Sequence, residues 1–548
     1  MRDAAKYTRL DARSARSRAP MTNHTNAITR GDLGTDDGVV RALPVMHATA
    51  GRGPRAAAAL LAGAAWLAAT GCRMGPDAPA APDAPAADAI DAAVSDAVRD
   101  TPVDPRWWEA FGDPVLDGLV ADAEGANQSL AAALASVRAA YAGLGVAEAE
   151  LWPSIAAGAE YARTKTNIAQ LAAQGVQLEP YDMYAYGVGM PAWEIDLWGG
   201  VRRQVEMAAS DAAGEVETLR GALVSVRAQV VANYAQLRML AERRAVLEEN
   251  VAGMRRSRDA VAARRAAGTA TALDLARAEA ELDAAEAGVP AIESAWRATF
   301  AALAVLAGKT PAELEAAVGG ELAARAPVPT PPDAVGIGLP ADLVARRPDV
   351  RAAWQRLVGA TAAIGAADAL RLPSLALSGN FYIAATEVSG LGRLSNRAYS
   401  FGPSLSVPLF AGGALAANAE RAKAAADAAL ASYRETVLGA IGDLSASVSG
   451  YVGAREGAVL ASRAAESARE ALRLADEQFR AGVTDVTVLL EVQRSALSAE
   501  DAAVEARGAE VQAFVSLCRA LGSGWQDADL DRAAAEVAEA RGAEREGA

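Results

Sequence analysis

The sequence predicts a mixed fold in which a membrane β-barrel continues into a long α-helical barrel, with an internal two-fold repeat and four strands per chain. Three observations lead to this fold class. Two segments alternate apolar and small polar residues with the period of a strand, although each lies between helical stretches. Two other segments, 200–266 and 413–480, have helical spacing and contain no proline. The same order of elements also occurs twice along the chain.

The composition favours closely packed helices over a thick globular core. Apolar residues make up 52% of the 548 residues, but aromatic residues only 5%. The formal net charge of −15, without a basic face, argues against a nucleic-acid partner. Both histidines, His24 and His47, precede Cys72, so a chain that starts at Cys72 has no histidine for catalysis or for most transition metals. We therefore expect neither an enzyme nor a bound metal or cofactor.

Residues 46–71 have the pattern of a secretory signal. Two arginines precede an apolar stretch, AAAALLAGAAWLAA, that is too short to cross a bilayer as a helix. The signal ends in small residues before Cys72 and resembles a bacterial lipoprotein signal, although Ala69 stands where leucine is usual. Cys72 is therefore the predicted lipid-attachment residue, and a secretory signal followed by a chance cysteine is the alternative. We expect a Pro/Ala-rich tether over 72–103 and a mis-assigned or disordered leader over 1–45.

The stretch RLPSLALSGNFYI, residues 371–383, shows the strand alternation most directly. After Pro373 the small or polar residues fall on one side, and the other side carries Leu375, Leu377, Phe381 and Ile383. The second strand changes phase near Pro191, which predicts a β-bulge. Alternation along the fourth strand places five residues on its apolar side, namely Tyr399, Phe401, Leu405, Val407 and Leu409. We therefore predict β-hairpins over 154–198 and 374–410.

The elements of the first half recur in the second half. Residues 135–163 resemble 355–383, and a later helix–turn–helix pattern matches with Gly268 opposite Gly482. At about 1.5 Å per residue, a helix over 200–266 is roughly 100 Å long and needs helical partners. The predicted parts are a first repeat, 104–325, with long helices over 200–308, a second repeat, 326–526, with long helices over 413–521, and an acidic tail, 527–548.

Four strands cannot close a transmembrane barrel, so the barrel must be shared between chains. An open sheet edge in lipid leaves backbone groups unpaired, at a large cost in free energy. Two chains give eight strands with a filled interior, whereas three give twelve strands and leave a channel. The trimer is favoured by small polar residues on the inner faces, namely Ser378, Ser400, Ser404 and Ser406. A soluble β-sandwich edge, where aromatic residues also collect, is the alternative, but isolated hairpins leave it few partner strands.

Several motifs spread over residues 72–526 resemble one known family. They are DPRWWEAFGDPVLDGLV, WEIDLWGG, GLPADLVARRPDVRAAWQRLVGATAAIGAADALRLPSLALSG, FRAGVTDVTVLLEVQRSAL and SLCRALGSGW. Together they resemble TolC-type outer-membrane efflux factors of the NodT lipoprotein branch. The resemblance implies a homotrimer with a twelve-stranded barrel in outer-membrane lipid and a periplasmic helical tunnel. It also implies a passive exit duct for drugs, metals or other toxic compounds, docked by a periplasmic membrane-fusion adaptor and an inner-membrane RND-type pump.

The resemblance also assigns roles to individual residues. The adaptor-docking tips that it implies are Gly268, Thr269, Gly482, Val483, Thr484 and Asp485. It places an acidic gate residue nine positions after the second tip glycine, which is Glu491. Thr487 lies one turn earlier, and Arg494 lies on the same helical face. Without the resemblance, the glycines indicate plain helix turns, and Glu491 with Arg494 an exposed surface pair. The family usually has glutamate where this chain has Trp354.

Two other functions are alternatives on the sequence alone. A structural periplasmic coiled-coil lipoprotein without channel activity accounts for the helices, the signal and the acidity, but not for two hairpins rich in aromatic residues. A secreted hydrolase with a helical domain lacks both a nucleophile motif and a histidine after the signal. Both alternatives are therefore weaker than a channel.

Overall fold

Four long helices and a four-stranded sheet dominate the computed structural model, which describes residues 73–78, 98–99, 104–165, 179–332, 335–336 and 346–530. All of these residues belong to one unit, residues 61–548. Cys72 lies outside the described residues, as do the predicted leader, the signal, most of the tether and the end of the predicted tail.

The helices occur in the predicted order, and six of the seven form two matching sets of three. They are α1 (Pro114–Ala126), α2 (Gln128–Ala149), α3 (Gly200–Ala266), α4 (Ala272–Leu306), α5 (Pro348–Ala369), α6 (Ala414–Arg480) and α7 (Val486–Ala520). Shorter helical pieces are Trp107–Phe111, Pro311–Leu314, Glu315–Gly319, Gly320–Ala323, Val388–Gly390, Leu394–Asn396 and Asp527–Leu530. Helices α3 and α6 each have 67 residues, and α4 and α7 each have 35. The duplication predicted from the sequence is therefore confirmed in the lengths of the elements.

The strands form one antiparallel sheet in chain order. They are β1 (Ala156–Thr164), β2 (Tyr181–Ile195), β3 (Ser374–Ala385) and β4 (Arg397–Ser406). Each hairpin supplies two neighbouring strands, and β2 pairs with β3 to join the hairpins. Strands β1 and β4 form the edges of the sheet, so each pairs on one side only. A separate two-residue parallel ladder joins Val98–Arg99 to Val335–Gly336.

The register places large apolar side chains of all four strands on one face. Tyr161 lies opposite Tyr184, and Phe381 lies between Val188 and Tyr399. Directly opposed residues in antiparallel strands point to the same side of the sheet. The other face carries mostly small or polar residues, including Ala376, Ser378, Asn380, Ser400 and Ser404. Tyr399 is 76% exposed in the single chain, so the apolar face is uncovered. The predicted two-faced strands are confirmed.

A β-bulge keeps the large apolar side chains of β2 on the apolar face of the sheet along the whole strand. The register between β2 and β3 shifts between Met190 and Trp193, and Trp193 then lies opposite Leu377. One extra residue in β2 therefore returns its last apolar side chains to the apolar face, which confirms the bulge predicted near Pro191.

The fourth strand is shorter than its alternation predicted. Strand β4 ends at Ser406, so Val407 and Leu409 lie beyond it and their assignment to the strand was wrong. The last pair of the ladder is Ser374 with Ser406, and the next residue, Val407, would face Pro373, which has no backbone N–H to donate. The apolar side chains of Val407 and Leu409 extend the exposed apolar surface past the end of the strand instead.

The main hydrophobic core lies where α1 and the long helices pack together. Its fully buried members include Leu116, Tyr234, Leu303, Tyr451, Phe514 and Leu517. The ring of Phe514 meets that of Trp107 edge-on, with 5.6 Å between ring centres. Cys518 is 1% exposed within this core, and burial raises the pKa of its thiol.

By length and composition alone, two described helices could cross a membrane, α2 and α4. Both pack along α3 in the helical body. One or two such helices are weak evidence for a membrane span, because core helices meet the same criteria.

A deletion at the bulge and an insertion beside it test whether the bulge sets the two-faced sheet. Deletion of Ala192 removes the extra residue but leaves Trp193 opposite Leu377, so Trp193 and Ile195 stay on the apolar face. We expect this variant to keep the heat-resistant oligomer on gels. One alanine inserted between Trp193 and Glu194 instead moves Ile195 to the polar face and Glu194 to the apolar face, and should abolish the oligomer. Loss of the oligomer on deletion of Ala192, or a wild-type yield of oligomer with the insertion, would contradict this role of the bulge.

Candidate functional site at the helix turns

Both repeats reverse direction at a glycine between their long helices. Gly268 and Gly482 have φ angles of 76° and 75°, in the left-handed region that glycine adopts without steric cost. In each turn, the N–H of the next residue donates to a carbonyl five residues earlier, at 2.9 Å for Thr269 and for Val483. This pattern is a Schellman motif, which satisfies carbonyls at the end of a helix. Both turns therefore require a residue that tolerates positive φ.

The two turns lie at the same end of the helical body. The four long helices share a small apolar core there, formed by Val261, Ala278, Ala475, Phe479, Val486, Leu489 and Leu490. Arg264, at the end of α3, donates from Nη2 to the carbonyl oxygen of Phe479 at 2.5 Å. Its guanidinium carbon lies 4.0 Å from the centre of the Phe479 ring. The hydrogen bond and the cation–π contact join the two turns into one packed tip.

The helices that leave the turns begin with side-chain caps. At α4, the Asp274 N–H donates to Thr271 Oγ1 at 3.2 Å and the Thr271 N–H donates to Asp274 Oδ2 at 2.8 Å, which forms a capping box. At α7, Asp485 Oδ1 accepts a hydrogen bond from the Thr487 N–H at 3.2 Å. Hydrogen bonds from the Thr271 backbone and hydroxyl lower the pKa of Asp274. The Asp274 carboxylate of the capping box therefore stays charged until the pH falls through its lowered pKa.

The residues predicted to form a gate lie along α7, just beyond its cap. Thr487 Oγ1 accepts from Arg277 Nη1 at 3.3 Å, and Arg494 Nη1 lies 3.3 Å from Glu281 Oε1. Arg277 and Glu281 are one turn apart on α4, so two polar contacts join α4 to α7. Glu491 is exposed and has no ion-pair partner among the residues that the structure describes. The plain alternative of a pair within α7 is wrong, because Arg494 pairs across the helices.

Sequence reasoning missed the partners on α4. When the repeats are aligned at Gly268 and Gly482, Arg277 falls opposite Glu491, so a charged residue follows each turn glycine by the same interval. This alignment could have identified Arg277. No comparable signal existed for Arg264, because its hydrogen-bond partner is a backbone carbonyl.

Trp354 contributes to packing. Its ring lies 5.5 Å from that of Tyr433 at an interplanar angle of 66°. Edge-to-face pairs of this kind are favourable beyond the apolar area that they bury. Trp354 therefore helps to hold α5 against α6, together with Val350 and Ala353.

Comparison with known sequences identifies the family. The family model described as outer membrane efflux protein matches residues 119–309 and 339–523. The pyoverdine export outer membrane protein OpmQ of Pseudomonas aeruginosa is 32% identical over 77% of this chain and 88% of its own length. Nodulation protein T of Rhizobium leguminosarum bv. trifolii is 27% identical over 76% of this chain and 88% of its own length.

Solved structures share the fold. The outer-membrane channel OprN aligns with a TM-score of 0.75 and 34% identity, over 83% of this chain and 100% of that one. The open-state outer membrane channel MtrE of Neisseria gonorrhoeae aligns with a TM-score of 0.69 and 26% identity, over 83% of this chain and 98% of that one. The two-faced sheet, the paired long helices and these likenesses define an outer-membrane channel with a periplasmic tunnel. The chain belongs to the outer membrane efflux protein family and is the outer-membrane component of an efflux system.

Replacing Asp485 by alanine removes the cap of α7 and leaves the turn glycine unchanged. Loss of an N-cap costs about 1 kcal/mol, which corresponds to roughly fivefold faster opening of the first helical turn. Hydrogen exchange of the amides over 486–489 measures this opening. The matched control is Thr484→Ala, because Thr484 makes no side-chain hydrogen bond among the described residues. Equal effects of the two substitutions would contradict a capping role for Asp485.

Proposed function

We propose that three copies of the chain form a passive exit duct for small molecules. The observation that carries this proposal is a sheet with two unpaired edges and one exposed apolar face. In lipid, the edges need partner strands from other copies. Three four-stranded sheets give a twelve-stranded barrel, which is wide enough to leave a channel. The small polar residues on the second face of the sheet then line the interior.

The helices extend the duct through the periplasm. Helices α3 and α6, at about 100 Å each, connect the sheet to the tip. A periplasmic membrane-fusion adaptor docks at the tip, and an inner-membrane RND-type pump supplies the energy, so the chain itself catalyses no reaction. Two relatives are named for pyoverdine export and for toluene efflux, which supports small organic molecules as a class of cargo.

The gate of the duct lies at the tip. The contacts of Thr487 with Arg277 and of Arg494 with Glu281 hold α4 against α7 within each chain. In the closed trimer, the exposed carboxylates of Glu491 converge towards the axis and disfavour anions. Opening the tip requires α7 to move relative to α4, which stretches both contacts.

The ion pair between α4 and α7 provides a direct test of the gate. The side chains of Arg494 and Glu281 are 65% and 31% exposed, so the pair is worth at most about 1 kcal/mol. We expect Glu281→Gln to shift the open-to-closed ratio by about two- to fivefold per chain in favour of the open state. Conductance in planar bilayers measures this shift as a larger resting current.

A second ion pair on the same helix serves as the control. Arg297 pairs with Glu293 on α4, away from the turn, and Arg297→Gln should leave the resting current unchanged. An unchanged current in Glu281→Gln would reject the gate while leaving the channel intact. Wild-type protein without any conductance would reject the channel itself.

The docking proposal depends on exposed side chains at the turns. Val483 is 77% exposed, and a side chain at Gly268 or Gly482 would meet no neighbouring atom within 4 Å. Bulky residues at both glycines are expected to abolish efflux while trimers still form. Their positive φ angles add about 1–2 kcal/mol of backbone strain per residue, however, so this double substitution also changes the turn. A change at Val483 perturbs docking alone.

Substitution Val483→Asp tests docking without altering the backbone of the turn. We expect it to lower efflux-dependent resistance by severalfold in cells that lack the native gene, because a carboxylate would enter an apolar contact with the adaptor. The matched control is Val388→Asp, since Val388 is 63% exposed and follows β3 at the other end of the sheet. Wild-type resistance with Val483→Asp, at equal protein levels, would reject Val483 as a docking residue.

The lipid anchor at Cys72 belongs to the same proposal. The signal-like stretch before Cys72 and the Pro/Ala-rich tether after it support acylation of its sulfur and, after cleavage, of its α-amine. Acyl chains supplement the barrel as a second attachment to the membrane. Mass spectrometry of the mature chain should show the added acyl mass, and an unmodified N-terminus would contradict acylation.

A further inference from the structure

The described segment directly after Cys72 is fixed against the start of α3. The Met74 N–H donates to the carbonyl oxygen of Trp198 at 3.0 Å, just before α3 begins. Trp198 Nε1 donates to the carbonyl oxygen of Pro373 at 2.7 Å, just before β3 begins. The N-terminal segment, residues 73–78, therefore lies where both hairpins meet the helices.

Arg203 makes most of the contacts that hold this segment. Its side chain is 1% exposed, although an arginine is rarely buried without compensating partners. Nε donates to the Met74 carbonyl at 3.0 Å, and Nη2 donates to the Gly75 carbonyl at 3.2 Å and to Asp77 Oδ1 at 2.9 Å. Nη1 donates to Glu206 Oε2 at 2.7 Å. Three of these four hydrogen bonds thus go to the N-terminal segment and one to α3 itself.

Two glycines make room for this arrangement. A Cβ at Gly75 would lie 2.4 Å from the Cα of Gly365, and Gly75 has a φ of 81°. A Cβ at Gly365 would lie 2.3 Å from the Met74 carbonyl oxygen and 2.8 Å from Arg203 Nε. Separations below 3.0 Å are incompatible with any side chain unless the backbone shifts. The segment therefore approaches α5 as closely as two glycines permit.

Exposed apolar side chains surround this junction at the same end of the sheet. They flank the strands where they connect to the helices and comprise Trp152, Ile155, Leu370, Leu409 and Phe410. Leu409 and Phe410 are each 92% exposed in the single chain. Amphipathic and apolar side chains in such a band are typical of the boundary between hydrocarbon and water. The junction that holds the N-terminal segment therefore lies at the level expected for the membrane boundary.

We propose that Arg203 is a positioning residue that docks residues 73–78 at the sheet–helix junction, so that acyl chains on Cys72 enter the membrane beside the barrel. Cys72 directly precedes Arg73, and consecutive Cα atoms are about 3.8 Å apart, so the anchor cannot move far from the dock. The docking of residues 73–78 by Arg203 is inferred from the contacts alone, whereas the anchoring role rests on the proposed acylation of Cys72. A fixed anchor ties the acyl chains to the base of the barrel instead of to a free tether.

Mobility of the segment tests the dock in the purified full-length protein. A nitroxide at Pro76→Cys, in a Cys518→Ala background, should rotate slowly in the otherwise unchanged protein. We expect about tenfold faster rotation in Arg203→Gln, since an undocked chain moves on the picosecond-to-nanosecond timescale. Gly75→Val should have the same effect, because its Cβ would collide with Gly365 and leave the helical core untouched.

A neighbouring arginine controls for general damage to the junction. Arg202 bonds to Asp196 through Nε at 3.0 Å, and Arg202→Gln should leave the label slow. Unchanged rotation in both Arg203→Gln and Gly75→Val would overturn the proposal, and so would equal mobilisation by Arg202→Gln. Bilayer conductance is read in the same samples, so a failure of the channel is recognised separately from a failure of the dock.

The depth of residue 76 in the bilayer tests whether residues 73–78 lie at the membrane boundary. The protein is placed in vesicles of phosphatidylethanolamine and phosphatidylglycerol with a bimane fluorophore at Pro76→Cys. Lipids that carry a nitroxide at the headgroup should quench the bimane more strongly than lipids that carry a nitroxide near the acyl terminus. Arg203→Gln should abolish this preference. Equal quenching by both lipids in the wild type, or none, would overturn the placement at the membrane boundary.

Discussion

A backbone that enters hydrocarbon must find partners for all its N–H and C=O groups within protein, and this constraint governs the whole chain. A sheet of four strands satisfies its inner ladders and leaves β1 and β4 unpaired on their outer sides. Closure of those edges requires strands from further copies of the chain. The hairpin connection then sends every long helix away from the same end of the sheet, so the tube follows from the barrel.

Alanine-rich helices offer few large side chains, and buried arginines compensate for this at the joins between segments. Arg203 fixes the N-terminal segment, and Arg227 donates to the carbonyl of Gly524 at 2.6 Å while its guanidinium lies 4.9 Å from the centre of the Trp108 ring. Arg238 donates to the carbonyl of Glu321 at 2.7 Å. In each case a planar, permanently charged group extends farther than an aliphatic side chain and binds backbone carbonyls outside the long helices. The helices supply the length, and the arginines fix the connections.

Local and periodic features could be predicted from the sequence. Alternation over two residues identified the apolar face of β3, the phase change near Pro191 identified the bulge, and the duplication identified the paired glycine turns. The strand end at Ser406 was missed because alternation continues beyond it, whereas a proline ends the ladder. Contacts between residues some two hundred positions apart, such as Arg494 with Glu281, depend on which helix faces lie together. Spacing along one helix does not determine that.

The two turns share a backbone conformation but not a cap. A threonine–aspartate box begins α4, whereas the single Asp485 cap begins α7, and the residues after the glycines are Thr269 and Val483. Around a trimeric tube, the rim would present six corners of two alternating kinds. A ring of six identical subunits could not engage all corners equivalently and would need two modes of attachment. In a trimer, the repeat of the rim would therefore be a pair of unlike turns that occurs three times.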